Sequence, residues 1–335
     1  MRIERSVLSV SWLPSEAVSG APRLFFDAGL NHYDAPPPDV VQDPAPLVAG
    51  NRVRAANHLR AWIDVNDGEI TGVGYSGGGL ISRSTVHVLD HELTFAPIPY
   101  PDLRQEPAHD GSAVTFVQTA GGHAGFPAPR TTPDPPFLRV SAPLIWTTLS
   151  LTIGADGSSR SEVRGASPVP RHWIYDDSGA LFTKVGSMDF ATWYWASSEE
   201  RSPWRGTDLP VVTTQVETAL ERRLSAQIMR PGRRVRFANV AAGETLVRQG
   251  EPGDTVFLLL DGVVRVEVDD QVVADVGPGA VLGERAMLEG GRRTSTLRAV
   301  TACRVAVGPP DGLSSQALVE LSAGHRREDG AATPS

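Results

Sequence analysis

The chain has 335 residues, of which 41% are hydrophobic and 21% charged, a composition typical of a soluble globular protein with two domains. Its formal net charge of −8 argues against broad binding to nucleic acid or to anionic membranes. The single cysteine, Cys303, excludes an internal disulfide framework. The N-terminus lacks a signal-peptide pattern and no window is apolar enough to span a bilayer, so we expect a cytoplasmic protein.

Residues 1–210 have the pattern of a β-rich domain. Short runs of β-branched and aromatic residues recur between Gly, Pro, Asp and Asn residues, as in strands separated by turns. The runs are Ser6–Trp12, Arg23–Phe26, Leu59–Val65, Leu80–Leu89, Ala113–Thr119, Leu144–Ile153, His172–Tyr175 and Ala180–Val185. Many short strands with frequent turns predict an antiparallel β sandwich or barrel-like domain. This domain resembles no family of known function, so its role stays open.

Three features of this region are candidates for chemistry, and none makes a catalytic constellation. His87 and His91 share a strand-like run but lack a third ligand at metal-like spacing, so a structural role is favoured. His123 is a lone imidazole in a glycine-rich loop. The aromatic run 193–195 could stack a ligand, although such clusters more often lie in a core. We therefore predict no catalytic residue and no metal site, and favour a protein that is not an enzyme.

A helix is predicted to follow the β-rich domain. Its apolar residues recur every four positions, and Thr214 with Glu217 forms a capping box at its start. These apolar residues are Val216, Leu220, Leu224 and Ile228. The pattern predicts an amphipathic linker helix over 214–229 that ends at Pro231-Gly232. Glu221 lies off the apolar stripe, and we expect it to be solvated.

The chemistry of the chain is concentrated in residues 283–299. Gly283 leaves room for the close approach of a ligand, and Glu284 opens a short helical turn whose first amides suit an anion. Arg293 offers a planar fork of donors that matches phosphate oxygens. The hydroxyls of Thr294 and Ser295 can contact the same phosphate or a ring edge. Because Glu284 is an acceptor that fits a sugar hydroxyl, the whole set predicts a nucleotide site.

This stretch, together with the glycine-punctuated run 242–268, resembles the cyclic nucleotide-binding domain of the catabolite activator protein and kinase regulatory-subunit type. The resemblance implies a mainly β chain whose residues 211–323 form a jelly roll with short flanking helices. It implies that Glu284 takes the ribose hydroxyl and Arg293 the cyclic phosphate, assisted by the amides of Arg285 and Ala286. Arg285 itself departs from the family, which usually has an aliphatic residue there. The last residues, 324–335, are expected to form a disordered tail.

The resemblance implies a cytoplasmic regulatory sensor that binds cAMP or cGMP and transmits binding to the N-terminal domain. One alternative is a nucleotide-gated enzyme or a small-molecule-binding β domain. Another is a scaffold whose socket is degenerate and empty, with Glu284 paired to Arg293. We expect no cofactor besides the cyclic nucleotide, while a protein partner or a homo-oligomer stays open. The base that is recognised does not follow from the sequence.

Overall fold

The structure of the chain is a computed structural model that describes residues 1–15, 17–18, 23, 26, 32–88, 91–124, 128–131, 135, 138–168, 171–186, 202–206, 209, 211–217, 219–229, 235–308 and 315–329. Its contacts divide into two compact units. Unit 1 is Met1–Val185 with Asp189–Val211, and unit 2 is Gly186–Met188 with Val212–Ser335. This division lies next to the predicted boundary at residue 210, and the assignment of the two units as separate domains stays a prediction.

Unit 1 is built almost entirely from strands. They are β1 (Arg2–Trp12), β2 (Ala55–Asn66), β3 (Glu69–Tyr75), β4 (Gly78–Ile81), β5 (Ser84–Val88), β6 (His91–Phe95), β7 (Ile98–Pro99), β8 (Leu103–Arg104), β9 (Ala108–Asp110), β10 (Ala113–His123), β11 (Ala128–Thr131), β12 (Leu138–Ser141), β13 (Leu144–Gly154), β14 (Ser159–Ala166), β15 (Arg171–Tyr175) and β16 (Leu181–Val185). A short helix, α1 (Ala45–Ala49), and a 3-10 turn, Pro203–Arg205, accompany them.

Two antiparallel sheets of unit 1 enclose one apolar core. One sheet has the order β16-β15-β1-β2-β3, with β4 also paired to β2, and the other has the order β14-β13-β10-β7, with β8 and β9 also paired to β10. Both sheets contribute side chains to a buried cluster, because alternate residues of a strand point to the same face. The cluster includes Val7, Leu59, Ile63, Phe116, Leu149, Leu151 and Ile174. The predicted β sandwich is therefore confirmed.

Some local predictions for unit 1 need correction. Arg23 and Phe26 have helical backbone, where a strand was predicted. His87 and His91 lie on the two strands of a hairpin, β5 and β6, rather than on one run. The aromatic run 193–195 lies outside the described residues.

His123 ends strand β10 instead of lying in a loop, and it is 7% exposed. Its Nδ1 donates to the Ala142 carbonyl over 2.6 Å, since that oxygen can only accept. Its Nε2 then accepts from the Tyr100 hydroxyl over 3.0 Å. Both ring nitrogens are thus used in fixing the ring.

A second histidine, His172, is fully buried between the sheets of unit 1. Its Nε2 donates to the Ser167 carbonyl over 2.9 Å, so its Nδ1 accepts from the Ser11 hydroxyl over 2.7 Å. Burial lowers the pKa of His172 to about 4, because the charged form loses its hydration, and the bond to Ser167 opposes this only in part. The ring is consequently neutral at physiological pH.

His172 makes the stability of unit 1 depend on pH. Because its folded pKa of about 4 lies below the ordinary 6.5, the unfolded chain binds more protons between these values. The contribution of neutral His172 to the free energy of unfolding is fully present above pH 6.5. It falls by on the order of 3 kcal/mol as the pH drops towards 4. Urea unfolding of the parent and of His172→Asn across this range measures the effect. We expect a flatter profile for His172→Asn, whereas His109→Asn, at an exposed histidine, keeps the parent profile.

Unit 2 contains the remaining elements. Its strands are β17 (Thr213–Thr214), β18 (Arg236–Val240), β19 (Thr245–Val247), β20 (Val256–Asp261), β21 (Val264–Val268), β22 (Gln271–Val276), β23 (Val281–Leu282), β24 (Thr296–Ala299) and β25 (Cys303–Gly308). Its helices are α2 (Ala219–Ile228), α3 (Glu284–Leu288) and α4 (Ser315–Asp329). None of the helices in the described ranges is long and apolar enough to cross a bilayer.

The strands of unit 2 form the predicted jelly roll. Two four-stranded sheets have the orders β18-β25-β20-β23 and β19-β24-β21-β22. Phe257, Leu259 and Val264 are buried between these sheets. A second apolar cluster joins β20 to all three helices, and its helical members include Leu224, Ile228, Met287, Leu288, Leu318 and Leu321. The helix of the binding motif, α3, thus shares a core with α2 and α4.

The flanking helices differ from their predicted bounds. Helix α2 begins at Ala219, and Thr214 belongs to β17, where its buried side chain packs against Gly186 and Gly277. Packing therefore overrides the local capping-box pattern. Helix α4 continues to Asp329, which corrects the predicted tail over 324–329, while 330–335 lie outside the described residues.

Candidate functional site

The nucleotide motif lies where β23 passes into α3. Gly283 is the N-cap residue of α3 and has a φ of 88°, which is left-handed backbone that favours glycine. A Cβ at this position would lie 2.6 Å from Nη1 of Arg293 and 3.0 Å from the Thr255 carbonyl oxygen. Gly283 is therefore required both by the turn and by the closeness of Arg293.

Arg293 is the centre of the site and is 5% exposed. Its Nη1 donates to the Thr255 carbonyl and its Nη2 to the Thr255 hydroxyl, each over 2.8 Å. A longer bond of 3.4 Å joins Nη1 to the Gly283 carbonyl. The guanidinium also lies over the ring of Phe257, 5.0 Å from its centroid, and against Gly253, where a Cβ would collide with it. These contacts hold the planar guanidinium group of Arg293 in one orientation.

The third donor of Arg293 has no such contact. Nε is buried and has no hydrogen-bond partner among the described residues. Burial lowers the pKa of the guanidinium, while the charges of Asp254, Glu251 and Glu284 raise it. A buried N–H without an acceptor costs free energy on the order of 1–3 kcal/mol. Among the described residues, Nε is thus the one guanidinium nitrogen of Arg293 whose hydrogen bond is not made.

A small ladder of backbone hydrogen bonds fixes the position of Arg293. The Arg293 amide donates to the Glu251 carbonyl, and the Gly250 amide donates to the Arg293 carbonyl, each over 2.8 Å. The Gly253 amide donates to the Gly291 carbonyl over 2.9 Å. The turn 250–253 consequently positions the arginine.

Glu284 is the first residue of α3 and is 3% exposed. It lies close enough to Arg293 to influence the charge of the guanidinium. Within the described part of the chain, however, the hydrogen bonds of Arg293 go to Thr255 and Gly283 and none goes to Glu284. The direct Glu284–Arg293 pair that the empty-socket alternative invokes is thus not the arrangement observed.

The other predicted site residues surround this pair. Ala286 is buried within α3, and Arg285 beside it is half-buried. Thr294 and Ser295 are half-buried in the bend between Arg293 and β24. The motif therefore forms one continuous turn, helix and bend.

Glu221 corrects an expectation for the linker helix, because it is buried rather than solvated. Its Oε1 accepts from the amide of Val281 over 3.2 Å. Val281 is the first residue of β23, which leads directly into Gly283. A buried carboxylate is retained where it is hydrogen-bonded, so Glu221 ties α2 to the strand that enters the site.

The comparisons with known proteins concern this part of the chain. Residues 237–317 match the family model described as the cyclic nucleotide-binding domain. The C-terminal third is a cyclic nucleotide-binding domain. The cyclic nucleotide-binding domain thus includes both sheets of the jelly roll and the whole motif from Gly283 to Ser295.

The similarities to individual known proteins each span a limited part of both chains. A cyclic nucleotide-gated potassium channel of Mesorhizobium japonicum is 41% identical over 69 residues, which is 21% of this chain and 19% of the channel. A cGMP-dependent protein kinase of Plasmodium berghei is 39% identical over 67 residues, which is 19% of this chain and 8% of the kinase. A co-crystal structure of the regulatory domain of Toxoplasma gondii PKA with cAMP is 29% identical and covers 28% of this chain and 36% of that chain, with a TM-score of 0.23.

No site for a metal emerges from the described residues. Among them, no three His, Cys, Asp or Glu side chains come together as ligands. Cys303 is buried, and burial raises the pKa of its thiol to about 11, so this cysteine is not a thiolate at neutral pH. The absence of a metal site over the whole chain stays a prediction.

Proposed function

We propose that the chain is a cytoplasmic regulatory sensor that binds cAMP or cGMP in the socket formed by Arg293 and Glu284. The observation that carries this proposal is the buried Nε of Arg293, which has no acceptor among the described residues. A phosphate oxygen would accept from it in the geometry that a guanidinium prefers. Both Gly253 and Gly283 support the assignment, since they admit the guanidinium.

Each remaining motif residue has a chemical role in this proposal. Glu284 accepts from the ribose hydroxyl, because an ionised carboxylate is an acceptor-only group that suits a sugar hydroxyl. The amides of Arg285 and Ala286 lie in the first turn of α3, where a helix has no internal acceptors, and they donate to the phosphate. The hydroxyls of Thr294 and Ser295 contact the phosphate or the edge of the base.

The test is titration calorimetry of the full chain with cAMP, with cGMP and with 5′-AMP as the control. We expect one of the cyclic nucleotides to bind, and at a concentration of 100 times Kd to stabilise unit 2 by about 2.7 kcal/mol. The uncyclised control carries an additional charge and should bind weakly. If neither cyclic nucleotide released or absorbed heat or raised Tm, the sensor function would be wrong.

We further propose that binding is transmitted along the chain through α2. Helix α2 contacts the site by the bond from the Val281 amide to Glu221 and by the apolar cluster that includes Met287 of α3. Val212, a few residues before α2, begins the main segment of unit 2, so the chain from unit 1 enters the sensor through this helix. A ligand that stabilises one arrangement of α3 would thereby shift the population of α2 positions.

Replacing Glu221 tests this connection. Glu221→Leu removes the acceptor of the Val281 amide, and we expect cyclic nucleotide affinity to fall about 10-fold, or ~1.4 kcal/mol. Glu221→Gln retains a side-chain oxygen at the same place and should stay near the parent affinity. Calorimetry on both variants, with Tm measured in parallel, gives the comparison. Equal affinities of the Leu and Gln variants would mean that the bond between Glu221 and Val281 does not influence nucleotide binding.

A further inference from the structure

Unit 1 contains a polar cleft on the outer face of its first sheet, away from the sandwich core. The floor consists of side chains from β1 and β2 that alternate with the core residues. Leu8 lies opposite His58, and Ser6 lies opposite Arg60, in the register of these two strands. Glu4 continues the same face of β1. The cleft has a volume of about 350 Å³, which lies within the range for small ligands.

Two segments form the walls of this cleft. One is the turn 176–179, which is anchored to the floor because Asp177 Oδ1 accepts from the Ser6 amide over 2.7 Å. The other is the segment with Val41 and Gln42, which is joined to the turn by a bond from the Val41 amide to the Gly179 carbonyl over 2.8 Å. Hydrogen bonds therefore connect the floor to the turn and the turn to the second wall, so the cleft is a built feature and not a gap between side chains.

The charged groups of the cleft already have partners. Arg60 pairs with Glu4 at 3.1 Å, and Arg5 lies 3.7 Å from Asp177. Asp176 accepts three donors within its own turn. A charged ligand would have to compete with these ion pairs. An uncharged ligand can instead add hydrogen bonds to the spare lone pairs of the carboxylates without separating any pair.

His58 is the exception among the polar groups of the floor. Its half-buried imidazole makes no hydrogen bond within the described part of the chain. Burial lowers the pKa of His58, the neighbouring Arg60 lowers it further, and Asp43 opposes both. The ring is consequently neutral and offers one donor and one acceptor. A hydroxyl group is the complement of such a pair, since it also donates and accepts.

We propose that this cleft binds an uncharged, hydroxyl-rich molecule of about the size of a monosaccharide, with His58 hydrogen-bonded to one of its hydroxyls. The paired carboxylates of Glu4 and Asp177 and the hydroxyl of Ser6 receive the others. Leu8 and Val41 supply apolar contact for the C–H groups of the ligand. The site is independent of the cyclic nucleotide-binding domain, and its test does not require a nucleotide.

The experiment is saturation-transfer NMR on the full chain with uncharged probes, D-glucose, D-galactose and myo-inositol, and with charged counterparts, D-glucuronate and D-glucosamine. We expect transfer to at least one uncharged probe and much weaker transfer to the charged ones. Transfer to none of the uncharged probes, or equal transfer to both classes, would overturn the proposal.

Two variants locate the binding. His58→Leu removes the ring that hydrogen-bonds the ligand, and Gln42→Trp fills the cleft from an exposed position without changing the sheet. Both should abolish the transfer, whereas His109→Leu, at an exposed histidine outside the cleft, should retain it. If His58→Leu does not fold, Gln42→Trp still tests whether the probe binds in this cleft. Transfer that survives in Gln42→Trp would place the binding elsewhere and refute the assignment.

Discussion

Arg293→Ala is expected to weaken cyclic nucleotide binding by at least about 100-fold, or ~3 kcal/mol. The variant removes the only side chain of the motif that brings a positive charge into the buried part of the socket, where Arg293 is 5% exposed. Hydrogen bonds to charged groups are each worth about 1.5–3 kcal/mol, and a phosphate would lose at least the bond from Nε. Titration calorimetry with cAMP and cGMP measures the change.

Two further variants separate charge from geometry in this result. Arg293→Lys keeps the charge but loses the planar fork, so its affinity should lie between the parent and the alanine variant. Arg292→Ala removes an exposed neighbour that donates only to the Gly250 carbonyl, and it should change affinity by no more than about 2-fold. Loss of the two bonds to Thr255 also costs stability, so Tm is recorded for each variant. An unchanged affinity in a folded Arg293→Ala protein would refute the proposed role.

The second large effect concerns a buried ion pair in unit 1. Asp34 and Arg54 are both almost fully buried; Arg54 Nε donates to Asp34 Oδ2 over 2.9 Å, and its Nη2 lies 2.9 Å from Oδ1 as an ion pair. Asp34 Oδ2 also accepts from the Leu13 amide over 2.8 Å. We expect Asp34→Ala to lower the free energy of unfolding of unit 1 by about 3–5 kcal/mol, because it leaves the guanidinium buried without its carboxylate. Urea unfolding of the full chain measures this loss.

The double variant Asp34→Ala with Arg54→Met is the control for charge burial. It removes both charges, so it should recover a large part of the lost stability, since an apolar pair avoids the desolvation of two ions. Arg52→Met changes a nearby exposed arginine and should have an effect within about 0.5 kcal/mol. If the double variant were no more stable than Asp34→Ala, the contribution of Asp34 would be its bond to Leu13 rather than its charge.

The parts of the fold and site that could be predicted are those that depend on residues close together in the sequence. The jelly roll was implied by the resemblance of two short stretches to the cyclic nucleotide-binding domain, and the socket followed from Gly283, Glu284 and Arg293, which lie within one of these stretches. The recurrence of short β-branched and aromatic runs between turn residues predicted a β sandwich or barrel-like domain for unit 1. It did not predict the order of the strands, because pairing partners such as β1 and β15 are far apart in the chain.

Contacts between distant residues account for what was missed. Thr255 holds Arg293 across 38 residues, and Glu221 meets Val281 across 60, so no local pattern marks either one. Glu221 looked solvated because its place on the helix is off the apolar stripe, yet β23 covers that place. His123 looked like a loop residue because glycines precede it, although those glycines lie inside a strand. Long-range packing decided each of these cases.

The glycines beside Arg293 allow a ligand-blind protein to be made without altering any polar group. Gly283 has left-handed backbone, but Gly253 does not, so an alanine at 253 meets no backbone strain and only displaces the guanidinium. Under the proposed function, Gly253→Ala would thus give cells a chain with its full set of recognition side chains and no response to the cyclic nucleotide. Comparing such cells with the parent would isolate whatever unit 1 does when the sensor is silent.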